Sequence, residues 1–140
     1  MTILSRLLTL ADRMSAPARV RAHCDLPCGV YDPAQARIEA ESVKGIQEKY
    51  QASDDPVFRD RAIQIKEERA DLVKHHLWVL WTDYFKPQHA EQYPDLHQRF
   101  WEATKLAGDS KKSVDPAQGQ ELLDAIAEID KIFWETKQAS

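Results

Sequence analysis

Residues 55–84 read DPVFRDRAIQIKEERADLVKHHLWVLWTDY, and this stretch decides the fold. Asp55 is placed to accept hydrogen bonds from free amides at a helix start, and Pro56 falls in the first turn, where its missing donor does no harm. Phe58, Ala62, Ile65, Leu72, Val73, Val79 and Leu80 recur at helical spacing, which predicts one long helix over about residues 56–84 with these as core candidates. Lys86-Pro87 ends it, because the residue before a proline is pushed out of the helical region. A long helix with one apolar stripe needs other helices to bury it.

Working outward, the Asp-Pro step recurs at Asp32-Pro33 and Asp115-Pro116, so three helix starts carry the same signature. Asp32 with Gln35, and Asp115 with Gln118, also have the spacing of a capping box. A first helix is predicted over about 33–50, burying Ala36, Ala40, Val43 and Ile46 or Tyr50. A third is predicted over about 94–107, carrying Leu96, Phe100 and Lys105 or Leu106, with Gly108 as its stop. The fourth runs over about 116–136 with Leu122, Ile126, Ile129 and Phe133 on one stripe. Sustained period-two alternation is missing and glycines number only four, so strands are not expected. The predicted fold is all-α, an antiparallel four-helix bundle over residues 32–140.

With 43% hydrophobic residues, 140 residues can bury one sizeable core, so a single folded domain is expected. A net charge of −4 without a basic cluster gives no case for nucleic acid or for an anionic membrane surface. The two cysteines, with three residues between them, cannot staple a fold of this size, which favours a reducing compartment over a secreted, disulfide-framed protein. Trp78, Trp81, Trp101 and Trp134 are expected as core and subunit-contact residues, and the adjacent His75 and His76 point about a hundred degrees apart on their helix, a poor arrangement for sharing a metal.

The chemistry concentrates just before the first helix. His23-Cys24-Asp25-Leu26-Pro27-Cys28 holds both cysteines beside a histidine. Thiolate and imidazole suit nickel, copper or zinc rather than magnesium or calcium. A second Cys/His pair, which a structural zinc site would recruit, is missing, so backbone groups must complete any coordination. Two other readings are open: a non-catalytic metal-binding helical protein, or a reversible disulfide. The spacing differs from Cys-x-x-Cys and no βαβ pattern surrounds it, which weakens the second.

HCDLPCGVYDPAQARIEAESVK (23–44), KHHLWVLWTDYFKP (74–87) and IDKIFWETK (129–137) together resemble the nickel superoxide dismutases. The resemblance implies an irregular metal hook over 23–31 in front of the bundle. It implies one nickel ion per subunit, bound by the amine of His23, the backbone nitrogen of Cys24, the thiolates of Cys24 and Cys28 and, in the oxidised state, the imidazole of His23. Such an arrangement closes two fused five-membered chelate rings and gives the square-planar nitrogen and sulfur field that divalent nickel accepts. It also implies that Glu39 orients the imidazole and Arg69 holds Glu39, that Tyr31 and Asp25 lie near the open face of the metal, and that the Leu26-Pro27 bond is cis. The implied activity converts superoxide to dioxygen and hydrogen peroxide by Ni(II)/Ni(III) cycling in a homohexamer. Lys86 aligns with a family lysine and is a candidate for steering the anion.

In that family the mature chain begins at the hook histidine, which makes residues 1–22, MTILSRLLTLADRMSAPARVRA, an expected propeptide cut by a maturation protease, with 23–140 as the working domain. The apolar residues Ile3, Leu4, Leu7, Leu8 and Leu10 are interrupted by Arg6 and closed by Asp12 and Arg13, a poor secretion signal but a fair amphipathic helix. A cytoplasmic enzyme is expected, and no apolar run is long enough to cross a membrane.

Overall fold

The computed structural model describes residues 29–139. Helix α1 spans Ala34–Gln51, α2 Pro56–Val79, α3 Pro87–Gln92, α4 Leu96–Ser110 and α5 Pro116–Gln138, and no strand occurs among the described residues. All three Asp-Pro starts work as read from the sequence. Asp32, Asp55 and Asp115 each accept from the amide two residues on, at 2.8, 3.0 and 2.9 Å. The box expected at Asp115 is not made, because Gln118 turns inward, donating to the Leu106 carbonyl at 2.8 Å and accepting from Ser110 Oγ at 2.9 Å.

The four long helices close an antiparallel bundle in which α1 and α4 each pack against both α2 and α5. Ala36 and Ala40 of α1, Val73 and Leu77 of α2, Leu96 and Phe100 of α4, and Leu122, Ile126, Ile129 and Phe133 of α5 form its buried core. The α5 stripe is the expected one. On α1 the stripe runs through Gln47 instead of Ile46 or Tyr50, and on α4 it uses Ala103 and Ala107 instead of Lys105 or Leu106.

Helix α2 departs furthest from expectation. Its buried face is Ala62, Lys66, Ala70, Val73 and Leu77, continued by Leu80, while Phe58 and Ile65 are each 37% exposed and Leu72 and Val79 are half-buried. Phe58, Ile65, Leu72 and Val79 stand seven residues apart, a row that keeps to one flank of the helix instead of the core face. The true face is masked by Lys66, which is 1% exposed. Its stem packs as an aliphatic chain, and its ammonium donates to the carbonyls of Ser110 and Lys111 at the end of α4, where positive charge meets the negative end of the helix. Burial holds its pKa below the ordinary lysine value, against an opposing pull from Glu67. Gly108 does not stop α4, which continues to Ser110 and the end that Lys66 caps.

A further correction concerns the α2–α4 connection, and the core part of the tryptophan expectation holds for one residue of the four. The predicted single helix over 56–84 leaves α-helical geometry after Val79 for one π-helical turn, Leu80–Tyr84, closed by the Phe85 amide on the Leu80 carbonyl at 3.0 Å. The short α3 behind Pro87 was not expected. Trp78, Trp101 and Trp134 are 52, 54 and 45% exposed, so of the four only Trp81 packs as core, with its ring 5.1 Å from Phe100. Trp78, Trp81 and Trp101 line an open apolar groove of about 210 Å³ with His97, Phe100 and Thr104. No helix of the described residues is long and apolar enough to cross a membrane.

Helices α1 and α5 meet through a glycine. A methyl group on Gly119 would overlap Gln47 Oε1 and lie 2.9 Å from Lys44 Cβ, and Gln47 is held in place by donating to Gln118 Oε1 at 3.1 Å and to the Ser113 carbonyl at 3.3 Å. Gly119→Ala is expected to destabilise the bundle by about 1–3 kcal/mol despite alanine's better helix propensity, because the fully buried Gln47 cannot move without breaking its bonds. A denaturant midpoint equal to or above that of the unaltered protein would contradict this close approach.

Candidate metal centre

His23, Cys24, Asp25 and Cys28, and with them the Leu26-Pro27 bond, lie outside the described residues. What the structure describes is the segment that follows them, from Gly29 into α1, and the surface on which that segment packs. Gly29 has a φ of +68°, a left-handed conformation that glycine adopts without steric cost. Its carbonyl accepts from Lys137 Nζ at 3.3 Å, linking the segment to the last turn of α5. Two residues on, the Tyr31 ring packs on Tyr84 with centroids 5.7 Å apart. Asp32 then caps α1.

Tyr84 is the centre of this surface. The π-helical turn presents its ring to Phe133 at 4.4 Å, Phe85 at 5.0 Å and His89 at 5.9 Å. Its hydroxyl lies 2.7 Å from Thr136 Oγ1, which itself donates to the Phe133 carbonyl at 2.7 Å, so the phenol is the donor in a short relay into α5. π-helical turns recur at functional sites because the extra residue rotates the side chains that follow. His89 Nδ1 accepts from the Lys86 amide at 3.0 Å, and burial, followed by the nearby Lys86 charge, holds its pKa below the usual histidine value. Lys86 itself is exposed, with Nζ donating to the Asp83 carbonyl at 3.0 Å.

Glu39 and Arg69, thirty residues apart, are brought together across the α1–α2 seam. Arg69 Nη1 lies 3.2 Å from Glu39 Oε2 and 3.4 Å from Oε1, with the carboxylate side chain only 16% exposed. His75 and His76 lie ring to ring at 5.5 Å, and no group of three or more His, Cys, Asp or Glu among the described residues is placed to hold a metal ion. The chain's two thiols are Cys24 and Cys28, so the nitrogen and sulfur set that suits square-planar nickel is the one in residues 23–28. The donor chemistry fits. Tyr84, His89, Thr136 and Lys137 were not singled out as site residues from the sequence; their signal was their position inside 74–87 and 129–137, but an aromatic or a lysine at a helix end reads as packing or a solvated charge.

A family model described as nickel-containing superoxide dismutase matches residues 18–137. The chain belongs to the nickel-containing superoxide dismutases. It is 65% identical to superoxide dismutase [Ni] of Streptomyces seoulensis and 63% identical to that of Streptomyces coelicolor, each over 131 residues covering 93% of this chain and 100% of the relative. Among solved structures, native nickel superoxide dismutase superposes with a TM-score of 0.81 at 66% identity, over 83% of this chain and 99% of that one. A nickel-containing superoxide dismutase whose nickel ligation corresponds to the oxidised state gives the same score and coverage at 68% identity. This nickel superoxide dismutase therefore takes nickel as cofactor and acts on superoxide, and the non-catalytic reading of the hook is not favoured.

Proposed function

We propose that the nickel of this enzyme is held by the His23 amine and imidazole, the Cys24 backbone nitrogen and the thiolates of Cys24 and Cys28, in a hook over residues 23–31 that stands in front of the bundle of 32–140. Overall, two superoxide anions and two protons give one dioxygen and one hydrogen peroxide. Bound nickel supplies the one-electron exchange, cycling between its divalent and trivalent states. The chain supplies the rest. Tyr31 narrows the approach so that a diatomic anion fits and larger ligands do not, and Asp25 orients the hook backbone along that approach. Glu39 accepts from the His23 imidazole and fixes its tautomer and angle, and Arg69 holds the Glu39 carboxylate in place.

Residues 1–22 are a propeptide removed by a maturation protease, and the mature enzyme works in the cytoplasm as a homohexamer. The interrupted apolar run of the leader supports the compartment, and the exposed Trp78 and Trp101 support the assembly, since subunit contacts are where large exposed aromatics are buried.

The observation that supports the site assignment is the Glu39–Arg69 pair, a mostly buried carboxylate held by a guanidinium across two helices. Glu39→Gln keeps the shape and removes the charge. Activity per bound nickel is expected to fall about tenfold or more in the protein beginning at His23, the range typical of groups that support a metal ligand. Circular dichroism should be unaltered. Equal activity per nickel in Glu39→Gln and the unaltered enzyme would remove Glu39 from the site.

A further inference from the structure

We propose that Lys137 is a positioning residue that fixes the carboxyl-terminal root of the nickel hook by holding the Gly29 carbonyl. A lysine in the last turn of a helix ordinarily serves its own helix, meeting the negative end of the dipole and otherwise extending into water. Lys137 instead leaves α5 and donates to Gly29, 108 positions earlier in the chain. On the way its ammonium lies 5.4 Å from the Tyr84 ring centroid and 5.7 Å from that of Phe133, within reach of a cation–π contact with both. Two rings and a carbonyl thus fix the position of a side chain that would otherwise explore many rotamers.

The placement matters because of the residue it holds. Gly29 follows Cys28 directly and has a φ of +68°, so the chain leaves the second cysteine through a left-handed residue that has no side chain to anchor it. Val30 is 75% exposed and buries little. A hydrogen bond to the Gly29 carbonyl restricts the ψ rotation that aims it, and Tyr31 adds a second anchor on the same Tyr84 ring that Lys137 covers. The floor beneath both anchors is the π-helical turn and the end of α5, which meet at the Tyr84–Phe133 and Tyr84–Thr136 contacts. Loss of the lysine removes the hydrogen bond that aims the Gly29 carbonyl, the first backbone carbonyl after Cys28. The proposal rests on the assignment of Cys28 as a nickel ligand.

The test uses the nickel-loaded enzyme beginning at His23, with Lys137→Met and Lys137→Arg. Methionine keeps the length and the aromatic contact but cannot donate; arginine stacks on rings and donates. Hydrogen exchange at the Val30 and Tyr31 amides and the rate of nickel loss to a chelator are measured beside activity per bound nickel. Lys137→Met is expected to exchange at Val30 and Tyr31 at least about tenfold faster, to lose nickel faster, and to keep its helicity and the protection of Ile126 and Ile129. Lys137→Arg is expected to stay near the unaltered enzyme in both readouts. Unchanged exchange at Val30 and Tyr31 in Lys137→Met would overturn the proposal, as would equal nickel loss from the methionine and arginine variants. Cys28→Ser, run alongside, separates the two claims, because nickel retention unaffected by that change would refute the ligand assignment whatever Lys137 does.

Discussion

Serine in place of either Cys24 or Cys28 is expected to abolish superoxide dismutation and leave the bundle folded. The two side chains differ by one atom, yet a serine hydroxyl is not deprotonated at neutral pH and is a hard oxygen donor. A thiolate is a soft, strongly donating ligand of the kind that brings nickel's redox couple within reach of superoxide. Each cysteine is therefore needed twice, as an anchor and as an electron donor, and neither need is met by the other. The fold has no such need. Among the described residues the bundle closes its own buried core from Pro33 to Thr136, so far-UV circular dichroism of either variant should match the unaltered protein. Full activity in either single variant would sink the nickel–thiolate site, and loss of helicity would show that the hook is part of the folding core.

How much could be read from residues alone varies from helix to helix for physical reasons. Asp32, Asp55 and Asp115 act locally, each on an amide two residues away, so their capping was legible. The α5 stripe was legible too, because Leu122, Ile126, Ile129 and Phe133 are apolar and nothing polar competes with them. On α2 and α1 the core face contains Lys66 and Gln47, whose burial depends on carbonyls of the α4–α5 connection that no local pattern announces. Apolar neighbours on the flank, Phe58, Ile65 and Ile46, then look like the better stripe, although they line an open groove between the two helices. The π-helical turn and the short α3 were invisible for a related reason, since one extra residue in a turn is set by how Tyr84 packs on α5.

The candidate site divides the same way. Sulfur and imidazole at His23, Cys24 and Cys28 announce metal chemistry by element alone. Glu39 and Arg69 would have been read as surface charges of two separate helices. Only family resemblance paired them, and the structure brings them to 3.2 Å. Lys137 and Tyr84 required the packed structure, because their partners lie in remote segments.

The amine of His23 as a nickel ligand is the claim on which the mechanism turns, and it makes residues 1–22 a lock. While Ala22 is attached, the nitrogen of His23 is an amide, whose lone pair is delocalised and whose proton nickel would have to displace in addition to that of the Cys24 amide. A free α-amine, with a pKa of about 7.7–8.0, gives up its proton to a metal at neutral pH. Three chains separate this effect from simple removal of bulk: the full chain, a chain beginning at Ala22 and a chain beginning at His23, each given nickel under reducing conditions. Nickel content, chelator resistance and superoxide disproportionation are measured on all three. The account predicts one tightly held nickel and full activity only for the chain beginning at His23, with the Ala22 chain nearly inactive although one residue longer. Equal activity and equal nickel retention in all three would mean that the His23 amine is not a ligand, and would contradict the account.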